Sequence, residues 1–241
     1  MANAAAVGFL AGGLLHCVVN AATAADTIGG TLAVSTEYVY RGISQSRDEP
    51  ALQASAYWRP APGWSAGVWL STMERIDGDA GQEFDLYIAR SWSPDPDWLA
   101  RVMLTHYTYP GDGGQGRYEY DELSFALSYQ QRVTASLSWS PNTSRYRYGY
   151  ALGTFEGRAW TYELSVQQPI VGAWSVFAGS GYYDLRELFD RGYWYWNGGV
   201  AFAWERLQID LSHVGADSTA RELFSQRRPH SKWAASLSWR F

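Results

Sequence analysis

The sequence predicts an all-β fold: a transmembrane antiparallel up-and-down β-barrel of about 12 strands. Three observations lead to this prediction. Apolar residues alternate with polar or small residues at a period of two, the pattern of strands that present one apolar face. Aromatic residues make up 16% of the 241 residues and charged residues only 18%. Turn residues also divide the chain so that short and long connections alternate, as they do in bacterial membrane barrels.

The composition supports this class and argues against others. The mean hydropathy is -0.29, which a barrel reconciles with many aromatic residues because its outer face is apolar and its lumen polar. A net charge of -5 without a basic run indicates no nucleic-acid partner. The single cysteine, Cys17, allows no disulfide within the chain. The competing interpretation is a soluble β-sandwich or lipocalin-like barrel, whose apolar faces would point into a core.

The amino-terminal segment has the features of a secretory signal. An apolar stretch at 7–20 precedes Ala22-Thr23-Ala24, an A-x-A pattern that invites cleavage. We therefore predict that residues 1–25 are a signal peptide that is removed and that residues 26–241 form one outer-membrane β-barrel. The predicted location is the outer membrane of a Gram-negative bacterium, with outer-membrane lipid around the barrel.

Each segment with period-two alternation is predicted to be a strand. The twelve predicted strands are 31–41, 51–59, 64–71, 83–92, 98–109, 118–129, 133–139, 160–167, 174–183, 196–204, 207–214 and 231–241. Short turns join alternate pairs, as at Pro62-Gly63, where proline cannot continue a ladder and glycine accepts positive φ. The predicted long connections are 43–50, 72–82, 110–117, 140–157, 184–193 and 215–230. Long connections of this kind are extracellular in bacterial barrels, and the short turns are periplasmic.

The last segment, 231–241, has the clearest alternation. Its odd positions are apolar, ending in Trp239 and Phe241, whereas its even positions are polar or small. We expect this strand to pair with the first strand, because closure removes both exposed edges. It is also the segment through which we expect barrel assembly machinery to act as a partner.

Aromatic residues at the strand ends predict two interfacial girdles. The girdle beside the short turns and the carboxyl end is predicted to contain Trp58, Trp64, Trp92, Trp98, Tyr129, Trp174, Trp204 and Phe241. The girdle at the opposite strand ends is predicted to contain Tyr40, Trp139, Trp160, Trp196 and Trp233.

Charged residues fall on the opposite phase of the strands and are predicted to face the lumen. They are Glu37, Arg41, Arg59, Glu83, Asp85, Arg101, Glu122, Glu163, Asp210, Lys232 and Arg240. A lipid-facing Arg or Lys at the membrane midplane would cost about 2–4 kcal/mol, which favours the inward placement. Two roles remain open for these residues: pairing that braces the wall, and selection of solutes by charge.

The stretch from Ser35 to Ser46 (STEYVYRGISQS), followed by Pro50-Ala51 and Gln53, resembles the opening signature of the TorF-type porin family of bacterial outer-membrane proteins. Further matching residues are Gly67, Trp69, Ser71, Tyr107 and Tyr109-Pro110-Gly111. The resemblance covers about the first half of the mature chain. It implies a porin-type barrel, and it implies no substrate and no catalytic residue.

These observations predict a channel for passive diffusion of small solutes or ions through a narrow charged lumen. Twelve strands lie between the roughly eight that fill their interior with side chains and the roughly 16–18 that leave an open aqueous channel. One alternative is a non-conducting barrel that acts as a receptor or adhesin through its extracellular loops. The other is an outer-membrane lipid-modifying enzyme.

The sequence offers little support for catalysis or metal binding. His106 and His213 fall on the outward phase near the long-connection ends and could form a lipid-facing pair, but no motif joins them to a nucleophile. Asp112, Glu119, Asp121 and Glu122 could supply oxygen ligands to Ca²⁺, although an acidic solvated loop is the simpler interpretation. We predict no catalytic residue, no metal and no cofactor.

Overall fold

The computed structural model of the protein describes residues 28–74, 80–110, 119–144, 156–227, 229 and 231–241. Twelve strands of this described part form a closed antiparallel barrel in which each strand pairs with its neighbours along the chain. They are β1 (Ile28–Ser35), β4 (Ala51–Trp58), β5 (Trp64–Glu74), β6 (Ala80–Asp95), β7 (Trp98–Thr108), β8 (Tyr120–Tyr129), β9 (Val133–Ser144), β10 (Glu156–Val171), β11 (Trp174–Asp184), β12 (Tyr193–Trp204), β13 (Leu207–Ala216) and β14 (Lys232–Arg240). The predicted fold class and strand number are confirmed.

The first and last strands close the barrel, as the alternation predicts. Leu32 of β1 pairs with Trp239 of β14, and Ser35 pairs with Ser236. Two backbone hydrogen bonds between Gly30 and Phe241 extend this ladder, at 3.0 and 3.1 Å. Every barrel strand therefore has two partners, and the described sheet has no open edge.

The alternation of side chains along the strands separates an apolar outer face from a polar interior. On β13, Ile209 and Leu211 are exposed on the outer face, whereas Gln208 and Asp210 are buried inside. The same alternation holds on β14, where Leu237 is exposed and its neighbours Ser236 and Ser238 are buried. Exposed aliphatic and aromatic rows of this kind match a lipid-facing surface.

The strands are longer at the long-connection end than the sequence predicts. Most of the predicted connection 72–82 is strand, because β5 extends to Glu74 and β6 begins at Ala80. Two connections carry short helices instead: α1 (Arg186–Phe189) and α2 (Ser218–Leu223), the latter followed by a 3-10 turn at Ser225–Arg227. Within the described residues, no helix has the length and apolar character needed to cross a bilayer. Residues 145–155, the core of the predicted connection 140–157, lie outside the described residues.

The prediction for the first strand is wrong beyond Ser35. After a last hydrogen bond from Thr36 to Ala235, the chain turns into the barrel and forms a small hairpin from β2 (Val39–Tyr40) and β3 (Ile43–Ser44). Residues 37–46 are all buried, and we call them the inward hairpin. Tyr40, predicted to lie in the outer girdle, and its neighbour Tyr38 therefore both lie inside.

Residues Leu164 and Ser165 provide a direct test of the facing. They are neighbours on β10, about midway between Trp160 and the 172–173 turn; Leu164 is exposed on the outer face and Ser165 faces the interior. We expect Leu164→Arg to lower the free energy of unfolding in lipid by about 2–4 kcal/mol, since it places a charge against hydrocarbon. Ser165→Arg should cost much less, and equal losses in urea titrations of the two variants would contradict the facing.

Candidate functional site

The inward hairpin is built around a two-residue turn. Val39 pairs with Ser44 and Tyr40 with Ile43, which leaves Arg41 and Gly42 at the turn with φ values of 49° and 76°. Two positive φ values in succession are the requirement of a type I′ hairpin turn. Gly42 also lies against the wall, where an added Cβ would be 2.8 Å from Cβ of Tyr195. Glycine is therefore required at this position for both its conformation and its size.

The Arg41 side chain is the anchor of the hairpin. It is only 1% exposed, and its Nη2 donates to Glu122 Oε2 on β8 at 2.6 Å. The guanidinium carbon lies 4.7 Å from the ring centroid of Tyr40 and 4.5 Å from that of Tyr183 on β11. Such cation–π contacts compensate part of the cost of burying the charge. The Tyr193 hydroxyl also donates to the Arg41 carbonyl at 3.0 Å.

Further polar contacts hold the rest of the hairpin. Lys232 on β14 forms ion pairs with both Glu37 and Asp48. Glu83 on β6 accepts hydrogen bonds from the Tyr38 hydroxyl at 3.1 Å and the Tyr109 hydroxyl at 3.0 Å. The hairpin is thus held by side chains from opposite sides of the barrel.

Arg227 and its surroundings attach the last long connection to the same hairpin. Nη1 of Arg227 donates to the carbonyl of Gln45 at 3.1 Å and to that of Glu74 at 2.9 Å. The Glu74 carboxylate in turn pairs with Arg47 at 2.7 Å. The connection that follows β13 is therefore hydrogen-bonded to the connection that follows β1.

Two apolar clusters pack against the hairpin from its two sides. The first contains Ile43 with Ala159, Tyr183, Leu185, Leu188, Tyr193, Tyr195, Ala216, Ala220, Leu223 and Phe224. The second contains Tyr38 and Tyr40 with Ala51, Met73, Tyr107, Tyr109 and Tyr120. The rings of Tyr107 and Tyr120 stack with centroids 4.2 Å apart. The long-connection end of the described barrel interior is therefore well packed.

Below the hairpin, one wall of the interior carries small side chains. A row of paired inward positions runs across five strands from β8 to β12, and we call it the small-residue wall: Ser128, Thr134, Ser165, Gly179 and Asn197. In the adjacent row, Glu163 accepts hydrogen bonds from the Ser136 hydroxyl at 3.1 Å and the Tyr195 hydroxyl at 2.6 Å. Tyr195 reaches Glu163 by lying over Gly181. A Cβ added to Gly181 would be 2.4 Å from the Tyr195 ring.

The predicted lumen charges fall into two groups along the barrel axis. Glu37, Arg41, Glu83, Asp85, Glu122, Glu163 and Lys232 lie toward the long-connection end, and Arg59, Arg101, Asp210 and Arg240 lie toward the short turns. Glu37 and Arg41 lie in the interior on the inward hairpin and not on the wall, because β1 ends at Ser35. Arg240 donates to Gln208, which donates to both oxygens of Asp210 at 2.8 and 2.9 Å.

The predicted girdle residues beside the short turns are exposed on the outer face: Trp58, Trp64, Trp92, Trp98, Tyr129, Trp174, Trp204 and Phe241. At the opposite end, Trp160, Trp196 and Trp233 are exposed, and Trp194 adds a ring that the sequence analysis missed. Tyr40 is absent from this girdle because it belongs to the inward hairpin.

The two outward histidines do not meet. His106 on β7 and His213 on β13 are six strands apart, and His213 packs edge-on against Trp233. Nδ1 of His106 lies 2.8 Å from Asp121 Oδ1, and Asn142 holds the other oxygen of Asp121 at 3.0 Å. In the part of the chain that the structure describes, no hydroxyl or thiol side chain hydrogen-bonds to His106.

The acidic residues considered as Ca²⁺ ligands do not form one cluster, because β8 directs two of them to opposite faces. Asp121 points outward to His106 and Glu122 inward to Arg41, so the two carboxylates lie on opposite faces of β8. Asp112 lies outside the described residues, and no group of three or more candidate metal ligands occurs within them.

The Glu187 carboxyl group, which lies on α1 outside the barrel wall, has a shifted pKa. The Arg158 side chain donates to Glu187, with the ion pair at 2.5 Å. This hydrogen bond, together with one from the Arg158 backbone, lowers the pKa of Glu187 below its ordinary value. The ion pair between Arg158 and Glu187 orients α1 relative to β10. Because Glu187 is solvent-exposed, the pair contributes little to the free energy of unfolding.

The sequence profile of the family described as "Bacterial protein of unknown function (Gcw_chp)" matches residues 20–239, so the chain belongs to this family. No curated protein matches the sequence. Membership of the TorF-type family, which the first half of the chain suggests, remains a prediction.

Solved porins share the fold. The structure titled "KdgM porin" aligns with a TM-score of 0.55 and 6% identity, covering 88% of this chain and 99% of that chain. A second structure, "KdgM porin in complex with disordered oligogalacturonate", aligns with a TM-score of 0.54 and 5% identity, covering 89% of this chain and 98% of that chain. At such identities the similarity establishes the porin-like barrel fold and no ligand.

Replacement of Arg41 tests the anchor. We expect Arg41→Met to lower the free energy of unfolding by about 3–5 kcal/mol, since it leaves the Glu122 carboxylate buried without its cation. The double variant Arg41→Met with Glu122→Met should recover much of this loss in urea titrations. The matched control Arg47→Met breaks a partly exposed ion pair and should cost roughly 0–1 kcal/mol. A single-variant loss no greater than that of the control would contradict the anchoring role.

Proposed function

We propose that this protein is an outer-membrane channel through which small solutes or ions diffuse passively along a narrow, charged lumen. The closed barrel of twelve strands with an apolar outer face and polar interior is the observation that carries the proposal. The porin fold of the similar structures supports it. Residues 1–25 are in this proposal a signal peptide removed during export, and residues 26–241 the mature barrel.

The small-residue wall is the proposed side of the lumen along which solutes pass. Its inward positions from β8 to β12 are Ser, Thr, Gly and Asn, all of them small side chains. The opposite wall from β4 to β7 carries Tyr57, Trp69, Tyr87 and Met103 instead. Hydroxyl and amide groups can replace part of a solute's hydration shell at little cost.

The inward hairpin restricts the long-connection end of this path. Its anchor Arg41 contacts β8 and β11, and Gly42 lies against β12. Charges at this end are mostly held in pairs, as in Arg41 with Glu122 and Lys232 with Glu37. Selection at this end in our proposal therefore depends on size more than on charge.

A receptor that binds partners through its long connections is the second candidate. The observation that favours it is the packing of both apolar clusters against the inward hairpin, which fills much of the described interior at that end. A receptor would bind a ligand without carrying current. The two candidates therefore differ in one measurable property.

Reconstitution of the refolded protein in planar bilayers tests the channel. We expect stepwise conductance, and we expect Thr134→Trp to reduce it several-fold because the indole occupies the space beside the small-residue wall. Ala135→Trp is the matched control, since Ala135 is the next residue and lies exposed on the outer face. No conductance from well-folded protein would refute the channel and favour the receptor. Equal conductance of both variants would contradict the proposed path.

A further inference from the structure

An apolar floor lies inside the barrel near the short turns. Tyr57, Tyr87 and Met103 pack together there with Ala89. Two inward glycines make the arrangement possible: an added Cβ on Gly29 would lie 2.4 Å from the Tyr57 hydroxyl, and one on Gly67 would lie 2.5 Å from the Tyr87 hydroxyl. Each tyrosine therefore leans across the neighbouring strand in the space that a side chain would otherwise fill.

Three arginines surround this floor. The Arg59 guanidinium carbon lies 4.4 Å from the centroid of the Tyr57 ring. Arg101 directs Nη2 to the sulfur of Met103 at 3.5 Å. Arg240 lies across β1 from Tyr57, since it pairs with Thr31 and Thr31 pairs with Ser55 on β4. Arg59, Arg101 and Arg240 are all partly exposed, so solvent reaches all three side chains.

Acidic groups compensate little of the charge of Arg59 and Arg240. Within the described residues, Arg59 and Arg240 form no ion pair, and the nearest inward carboxylate, Asp210, is reached from Arg240 through Gln208. The carboxylates of the long-connection end bind partners there, such as Arg41 for Glu122 and Lys232 for Glu37. The short-turn mouth, by which we mean Arg59 and Arg240 with Tyr57, therefore carries two cations that no ion pair within the described residues neutralises, beside an apolar floor.

We infer that this mouth is a binding site for small oxyanions, carboxylates or phosphates, and that it makes the channel anion-selective. The inference rests on the proposed channel function and adds the class of solute to it. A guanidinium offers a planar fork of N–H donors that fits two oxygens of one anion. Arg59 and Arg240 reach the mouth from either side of β1, with Tyr57 between them to contact the apolar part of an organic acid.

Charge-removing variants test the site against a matched control. Arg59→Gln and Arg240→Gln are compared, singly and together, with Arg90→Gln, which removes an outward charge at the same end of the barrel beside Trp64. In a KCl gradient, each inward variant should lower the chloride-to-potassium permeability ratio by about fivefold, the Boltzmann factor of one contact at roughly 4 Å in water. Arg90→Gln should leave the ratio unchanged.

Citrate and inorganic phosphate serve as probes, with sucrose as the neutral control. We expect citrate to block the parent current and to bind the detergent-refolded barrel in calorimetry, and the double variant to lose both effects. Phosphate competing with citrate at equal concentration would support a general oxyanion site, whereas no competition would restrict it to carboxylates. Heat-modifiable gel mobility verifies that each variant folds.

The outcomes separate this inference from the channel itself. A conducting barrel whose ion selectivity and citrate block survive both inward substitutions would overturn the oxyanion site and leave the channel intact. A barrel that carries no current would refute the channel, and calorimetry then decides the site alone. A heat of citrate binding that is measured with the parent protein and lost in the double variant would support the oxyanion site. The absence of a binding heat with the parent protein would overturn it.

Discussion

The buried ion pair between Arg41 and Glu122 is the interaction on which the interior depends. A guanidinium that is 1% exposed cannot remain charged without compensation, and the protein supplies a carboxylate at 2.6 Å and two tyrosine rings. These groups come from β8, β11 and the hairpin itself. The ion pair therefore joins the first connection to the far wall, and its geometry determines where the hairpin lies.

That constraint explains why charge is distributed unevenly along the axis. The hairpin brings Glu37 and Arg41 into the long-connection end, where Lys232 and Glu122 are positioned to pair with them. Near the short turns no connection enters the interior of the described barrel, so Arg59 and Arg240 have only the wall as neighbours. The inward charges therefore differ between the two ends: those at the long-connection end pair around the hairpin, whereas Arg59 and Arg240 lie along the wall.

The alternation of the sequence was sufficient to predict the barrel but insufficient to predict the hairpin. Each strand must present one face to lipid, so a period of two is a direct consequence of the fold, and β14 follows it without exception. The alternation continues from Thr36 to Tyr40, which is why this segment was predicted as wall. The available signal was Arg41-Gly42, a two-residue turn between Val39-Tyr40 and Ile43-Ser44, which is typical of a hairpin. Strand alternation cannot indicate that such a hairpin folds inward.

Several of the residues that carry the resemblance noted in the sequence belong to the inward hairpin or contact it. The stretch 35–46 contains the whole inward hairpin, and Trp69 and Tyr107 are neighbours of its rings, with centroids 5.4 Å from Tyr38 and 6.4 Å from Tyr40. The pairing partners on β8 and β14 could not be identified from sequence, because they lie far along the chain and follow from barrel closure. The tyrosines of the hairpin pack on the side nearest β4 to β8 and its Ile43 packs against β10 to β13, whereas the small side chains of β8 to β12 lie below the hairpin. Large inward residues around the hairpin and small inward residues below it are therefore two parts of the same packing arrangement.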